Sequence, residues 1–115
     1  MSDFAQEHAF IDEFLPLFER NRTPTDEELG AFCDACYGSG MIIVFDWPEW
    51  EDQGHVLLET SGAMERTDLD DLRRLLTMLV RQEKFDPGTL AHAVSHGWFH
   101  VILERMRTLC SPAPA

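Results

Sequence analysis

An all-α fold, a compact bundle of five to six short helices in a single domain, is what this 115-residue sequence predicts. Three observations carry the prediction. Apolar residues recur three and four positions apart along most of the chain, the spacing that lines one face of a helix. Residues that cap helices stand just ahead of those runs, at Thr25, Asp46, Thr67 and Asp86. One stretch alone, Met41 to Phe45, has the β-branched and aromatic character of a strand, and no second run exists to pair with it.

The first helical segment runs from Asp3 to Arg20, with Phe4, Ile11, Phe14, Leu15 and Phe18 on one stripe and Ser2 or Asp3 as cap. Pro16 lacks an amide proton and crowds the carbonyl four residues back. The segment therefore kinks, or divides into two short helices with Pro16 in the first turn of the second. Asn21 to Pro24 is a polar break. Thr25 and Glu28 form a capping box for the next helix, which Leu29, Phe32, Cys33 and Cys36 line and which Gly38 and Gly40 stop. A lone strand at 41–45 would leave its backbone groups unpaired, so that stretch reads as a buried connector or one helical turn.

Asp46 or Trp47 then caps a short helix over Pro48 to Asp52, ending near Gly54. His55 to Arg66 is weakly patterned. Thr67 and Asp70 make a second capping pair, opening a helix that reaches about Lys84 and presents Leu69, Leu72, Leu75, Leu76, Leu79 and Val80. Acids in its first turn and Arg81 and Lys84 in its last complement the helix dipole. This helix belongs at the centre of the bundle. Asp86-Pro87 starts another, Gly97 ends or bends it, and Trp98, Ile102, Met106 and Leu109 line the last. The domain spans 1–110, and 111–115 is a frayed tail.

The net charge of −12 is unevenly placed: fourteen acids face only Arg20 and Arg22 through Thr60, whereas seven acids balance seven bases beyond it. Such a surface repels phosphate, so direct binding to nucleic acid or to a membrane through a basic face is not expected. The longest apolar run, Met41 to Phe45, is far too short to span a bilayer. The opening residues are acidic where a secretory signal would be basic. A cytoplasmic protein with Cys33, Cys36 and Cys110 as reduced thiols is the expectation.

The combination FDWPEW, then LLTMLVRQEKFDPGTLAHAVSHG, then an apolar closing helix resembles the small bacterial proteins grouped as domain of unknown function 6508. The resemblance covers about residues 30 to 107, and its most specific parts are Phe45-Asp46-Trp47, Trp50, Thr77, Arg81, Phe85 and Gly88. Lys84 stands where that family usually shows arginine, which keeps the charge but loses the planar fork. The resemblance implies a compact helical domain and no assigned activity.

FDWPEW places Trp47 and Trp50 three apart, on one face of a helical turn. They form either an aromatic anchor for a protein partner, rimmed by Asp46, Glu49 and Glu51, or a lid on the core with Asp46 as helix cap. The core reading suits a domain of this size better. Cys33 and Cys36 form a CxxC, but late in a helix rather than at the start where the dipole would activate a thiol, so buried thiols are expected. His92, His96 and His100 recur every fourth residue, and with Cys33 and Cys36 they supply candidate metal ligands. Gly97 interrupts the histidine series, and surface histidines are the default. Thr77, Arg81 and Lys84 read as a structural polar cluster, with Arg81 partly buried and paired with Asp86 or the FDWPEW loop.

No cofactor is implied by any motif. The leading functional expectation is a non-catalytic protein-interaction or regulatory module with an unidentified protein partner; self-association as a homodimer is compatible with it. The runner-up is a nucleic-acid-mimicking inhibitor of a bacterial defence system, of the anti-restriction or anti-CRISPR kind, motivated by the charge confined to residues 1–60. The third is a metal-dependent enzyme built on His92 and His96.

Overall fold

The computed structural model describes residues 4–19 and 22–110, and every regular element within them is helical. Helix α1 spans Ala5–Phe14 and passes directly into a 3-10 turn, Leu15–Phe18, with Pro16 in its first turn. This is the divided form that the proline demands. The proposed caps Ser2 and Asp3, and the tail at 111–115, lie outside the described residues. Helix α2, Asp26–Gly38, opens on the expected capping box: Thr25 Oγ1 accepts from the Glu28 amide at 3.1 Å, and Glu28 Oε1 accepts from the Thr25 amide at 2.9 Å. Gly40, at φ 77°, ends it, and the Met41 amide turns back to the Cys36 carbonyl.

Helix α3, Trp47–Glu59, is longer than the sequence suggests. Asp46 caps it and Pro48 fills its first turn, as expected, but Gly54 continues the helix instead of ending it. A Cβ at Gly54 would lie 2.7 Å from Met78 Sδ and 2.8 Å from Trp50 Cζ3. The glycine is there to let α3 and the next helix approach closely. A short 3-10 turn, Met64–Arg66, leads to α4, Leu69–Gln82.

The start of α4 is shifted by one residue from the expected position. Asp68, not Thr67, is its cap and accepts from the Asp71 amide at 2.8 Å. Thr67 is buried instead: its hydroxyl donates to the Ala63 carbonyl and its own carbonyl accepts from Arg105 Nε. Helix α5, Thr89–Ser95, also starts later than expected. Gly88 at φ 105° turns the chain, and the Glu83 carboxylate accepts the Gly88 and Leu90 amides, so Asp86 does not cap the helix. Gly97 at φ 71° separates α5 from α6, Trp98–Cys110.

One core joins these elements, built on α4, where Leu72, Leu75, Leu76, Met78 and Leu79 are fully enclosed. Phe32 of α2 is its aromatic hub, within 4.9–5.6 Å of the rings of Phe10, Phe14, Phe18 and Phe99. Such tilted and edge-on pairs add stabilisation beyond area burial. Two polar links fasten α1 to the body: Arg73 Nη2 of α4 donates to the largely buried Glu7 at 2.5 Å, and His8 Nε2 donates to the Cys110 carbonyl at 2.8 Å.

Candidate protein-docking groove

The strand-like stretch 41–45 finds no strand to pair with and pairs with a helix side chain. Thr77, buried in α4, accepts a hydrogen bond from the Ile43 amide at 3.0 Å and donates toward the Met41 carbonyl at 3.5 Å. A single hydroxyl thus satisfies a donor and an acceptor of the extended backbone. Only half of the connector is buried. Met41 is enclosed, Ile42 and Ile43 are half-covered, and Val44 projects wholly into solvent at 105% relative exposure.

Pinned in this way, the connector forms one wall of a groove of about 390 Å³, with Tyr37 at the end of α2, residues 42–48 and Arg81 on α4 as its lining. Large apolar groups stand open around it. Phe85 is 75% exposed, and its ring lies 6.0 Å from that of Trp47; Tyr37 is 45% exposed. Lys84 Nζ sits 5.8 Å from the centre of the Tyr37 ring, a cation–π contact. Of the residues that carry the family resemblance, Phe45, Asp46, Trp47 and Arg81 line the groove, Thr77 anchors its wall and Phe85 borders it, whereas Trp50 packs over Gly54 and Gly88 turns the chain into α5.

The candidate anchor residues divide between two tasks. Trp47 lines the groove, whereas Trp50 packs over Gly54 and edge-on to Phe45 at 5.8 Å. Both are half-buried against the core. Asp46 Oδ1 accepts from the Glu49 amide at 3.3 Å, Glu49 is exposed in the first turn of α3, and Glu51 turns away to accept from Gln82 Nε2 at 3.3 Å. Arg81 was expected to be partly buried and ion-paired; it is exposed, and no carboxylate lies within ion-pairing reach of it among the described residues. Thr77 is covered by the connector, but Arg81 stands one turn further along α4, where the covering chain has passed, and its long side chain reaches water.

The other candidates remain apart. Cys33 and Cys36 lie in the second half of α2 as free thiols. Burial pushes the Cys36 thiol far above its usual range, with neighbouring Cys33 adding to the effect; burial raises Cys33 too, helped by Asp34 and Glu83. Thiols held protonated are poor nucleophiles and poor metal ligands. The rings of His92 and His96 stack at 4.0 Å and both lie against Trp98, while His100, beyond Gly97, sits 3.7 Å from Glu104. Among the described residues no three His, Cys, Asp or Glu side chains converge on a point that could hold a metal ion. A second cavity of about 380 Å³ lies beside His55, Gln82, Asp86, His92 and Trp98.

The pattern left Val44 and Tyr37 unnoticed as surface groups. A β-branched residue in an apolar run reads as buried, but Val44 stands exposed immediately after Ile43, where Thr77 holds the connector. Phe85 carried a signal, since it follows the last helical turn of α4 and has no apolar neighbours at helical spacing ahead of it.

Fold and groove together define an all-helical bundle with an open aromatic groove between the end of α2, the start of α3 and the end of α4. The chain belongs to the family of unknown function DUF6508, whose model matches residues 15–111. Neither the curated proteins nor the solved structures give a match to it. No helix among the described residues is long and apolar enough to cross a membrane.

Proposed function

We propose that this protein is a non-catalytic interaction module and that the groove beside Trp47 receives a peptide segment of a partner protein. The observation that carries the reading is the cluster of open apolar side chains, Tyr37, Val44 and Phe85, around a groove already shaped by the fold. Exposed aromatic anchors beside a concave surface, with polar groups at the edge, have the composition of an interaction hot spot. Val44 and Phe85 contribute little to the core, so their exposure has no explanation in stability.

The nucleic-acid-mimic reading draws less support. It needs free carboxylates in an even row, yet Glu7 is buried on Arg73, Glu28 and Asp46 serve helix starts, and Glu51 is held by Gln82. The docking reading is tested by selecting short random peptides, displayed on phage, against the whole chain. Peptides enriched on the native protein are expected to lose binding to the double variant Val44→Ser, Phe85→Ser, whose circular-dichroism spectrum stays helical. Undiminished binding to that variant would contradict the proposal.

A further inference from the structure

The chemistry of the segment that docks can be read from the basic side chains, on the reading of the groove given above. Eight of the nine Lys and Arg residues lie within the described residues. Arg22, Arg73, Arg74 and Arg107 pair with the carboxylates of Glu28, Glu7, Asp71 and Glu104, and Arg105 donates to the Thr67 carbonyl. Among the described residues, Arg66, Arg81, Lys84 and Arg105 have no carboxylate within ion-pairing reach, and Arg105 is committed to the Thr67 carbonyl. Of the remaining three, two flank the groove: Arg81 lines it, and Lys84 lies over the Tyr37 ring that also lines it. Arg81 and Lys84 thus stand beside the open aromatic groups with no carboxylate of the described residues to neutralise them.

We infer that the groove takes an acidic, aromatic-bearing peptide segment, with a carboxylate between Arg81 and Lys84 and an apolar side chain against Val44, Trp47 and Phe85. Charge complementarity decides the sign. A basic segment would bring like charges against Arg81 and Lys84, and that juxtaposition is a strong source of rejection. Asp46 also lines the groove, but its carboxylate faces the first turn of α3, where the Glu49 amide donates to it. The net charge of −12 opposes an acidic partner at long range. At physiological ionic strength that field is screened within about 8 Å, so the cations in contact with the segment govern recognition. The protein therefore selects its partner by contact and gains no acceleration of the encounter from its overall field.

The same displayed library separates this inference from the docking reading. Sequencing of enriched peptides should show Asp or Glu within a few positions of an aromatic or leucine residue. Synthetic copies of those peptides should lose roughly tenfold or more in affinity on Arg81→Gln, Lys84→Gln and should fail to bind Val44→Ser, Phe85→Ser. Neutral or basic peptides that still need Val44 and Phe85 but ignore Arg81 and Lys84 would overturn the inference and leave the docking reading standing. Peptides indifferent to both pairs, or no enrichment at all, would overturn both. Sedimentation showing a dimer of the chain that dissociates on Val44→Ser, Phe85→Ser would assign the groove to a second copy and would also overturn the inference. All four positions are on the surface, so a helical spectrum for each variant is expected and guards against loss by unfolding.

Discussion

At the scale of single residues, Thr77 links the core to the groove. Its hydroxyl holds both Ile43 N–H and Met41 C=O, and among the described residues no other side chain bonds to the backbone of 41–45. Thr77→Val keeps the volume and removes both bonds, leaving the Ile43 amide without its acceptor. A loss of about 1–3 kcal/mol is expected from urea unfolding, with Thr77→Ser recovering most of it. If Thr77→Val is as stable as the native chain, the hydroxyl does not hold the connector. Gly54 acts at the same scale: its missing Cβ admits Trp50 and Met78 between α3 and α4, and this is why Trp50 is tied to packing while Trp47 is left for the groove.

At the scale of elements, α2 shows how charge at a helix start and burial along it give opposite responses to pH. The Thr25 amide, donating to the Glu28 carboxylate, holds Glu28 below the usual carboxylate range against an opposing effect of desolvation, and Arg22 assists. Its folded-state pKa is depressed, so the stabilisation is present above about pH 4.3, the unfolded value, and is lost as pH falls through the folded value. Cys36 behaves in the reverse sense. Burial raises its thiol, so stability is full below about pH 8.5, the unfolded value, and declines as pH rises above it while the unfolded thiol ionises. Urea midpoints across pH should therefore fall less steeply at the acid end for Glu28→Gln and at the alkaline end for Cys36→Ala than for the native chain. Slopes equal to the native ones would contradict the respective assignment. The helix boundaries follow the same division between local and distant causes. The box at Thr25 and Glu28, the break at Pro16 and the stop at Gly97 were legible because each acts on its own backbone. Gly54 within α3, Thr67 turned inward toward Arg105 so that Asp68 caps α4, and Glu83 capping α5 from the end of α4 were not, because each is decided by a contact beyond its own helix.

At the scale of the whole molecule, the fold encloses the phenylalanines around Phe32 and leaves a different set of apolar groups outside. The central place of α4 could be read from its leucines, since a broad apolar face must be covered on several sides. The groove could be read only in part. The stretch FDWPEW announces aromatic groups near carboxylates, but Tyr37, Val44, Phe85 and the two cations come together through tertiary packing, which periodicity does not encode. The acidic first half likewise divides in space into carboxylates that fasten helices and carboxylates that face water. Docking at the groove is the central claim, and amide hydrogen exchange with and without a saturating library-selected peptide tests it most directly. The account predicts slowing concentrated at residues 42–48 and 81–86; protection centred instead on the cavity beside His55 and His92, with the groove unchanged, would contradict it.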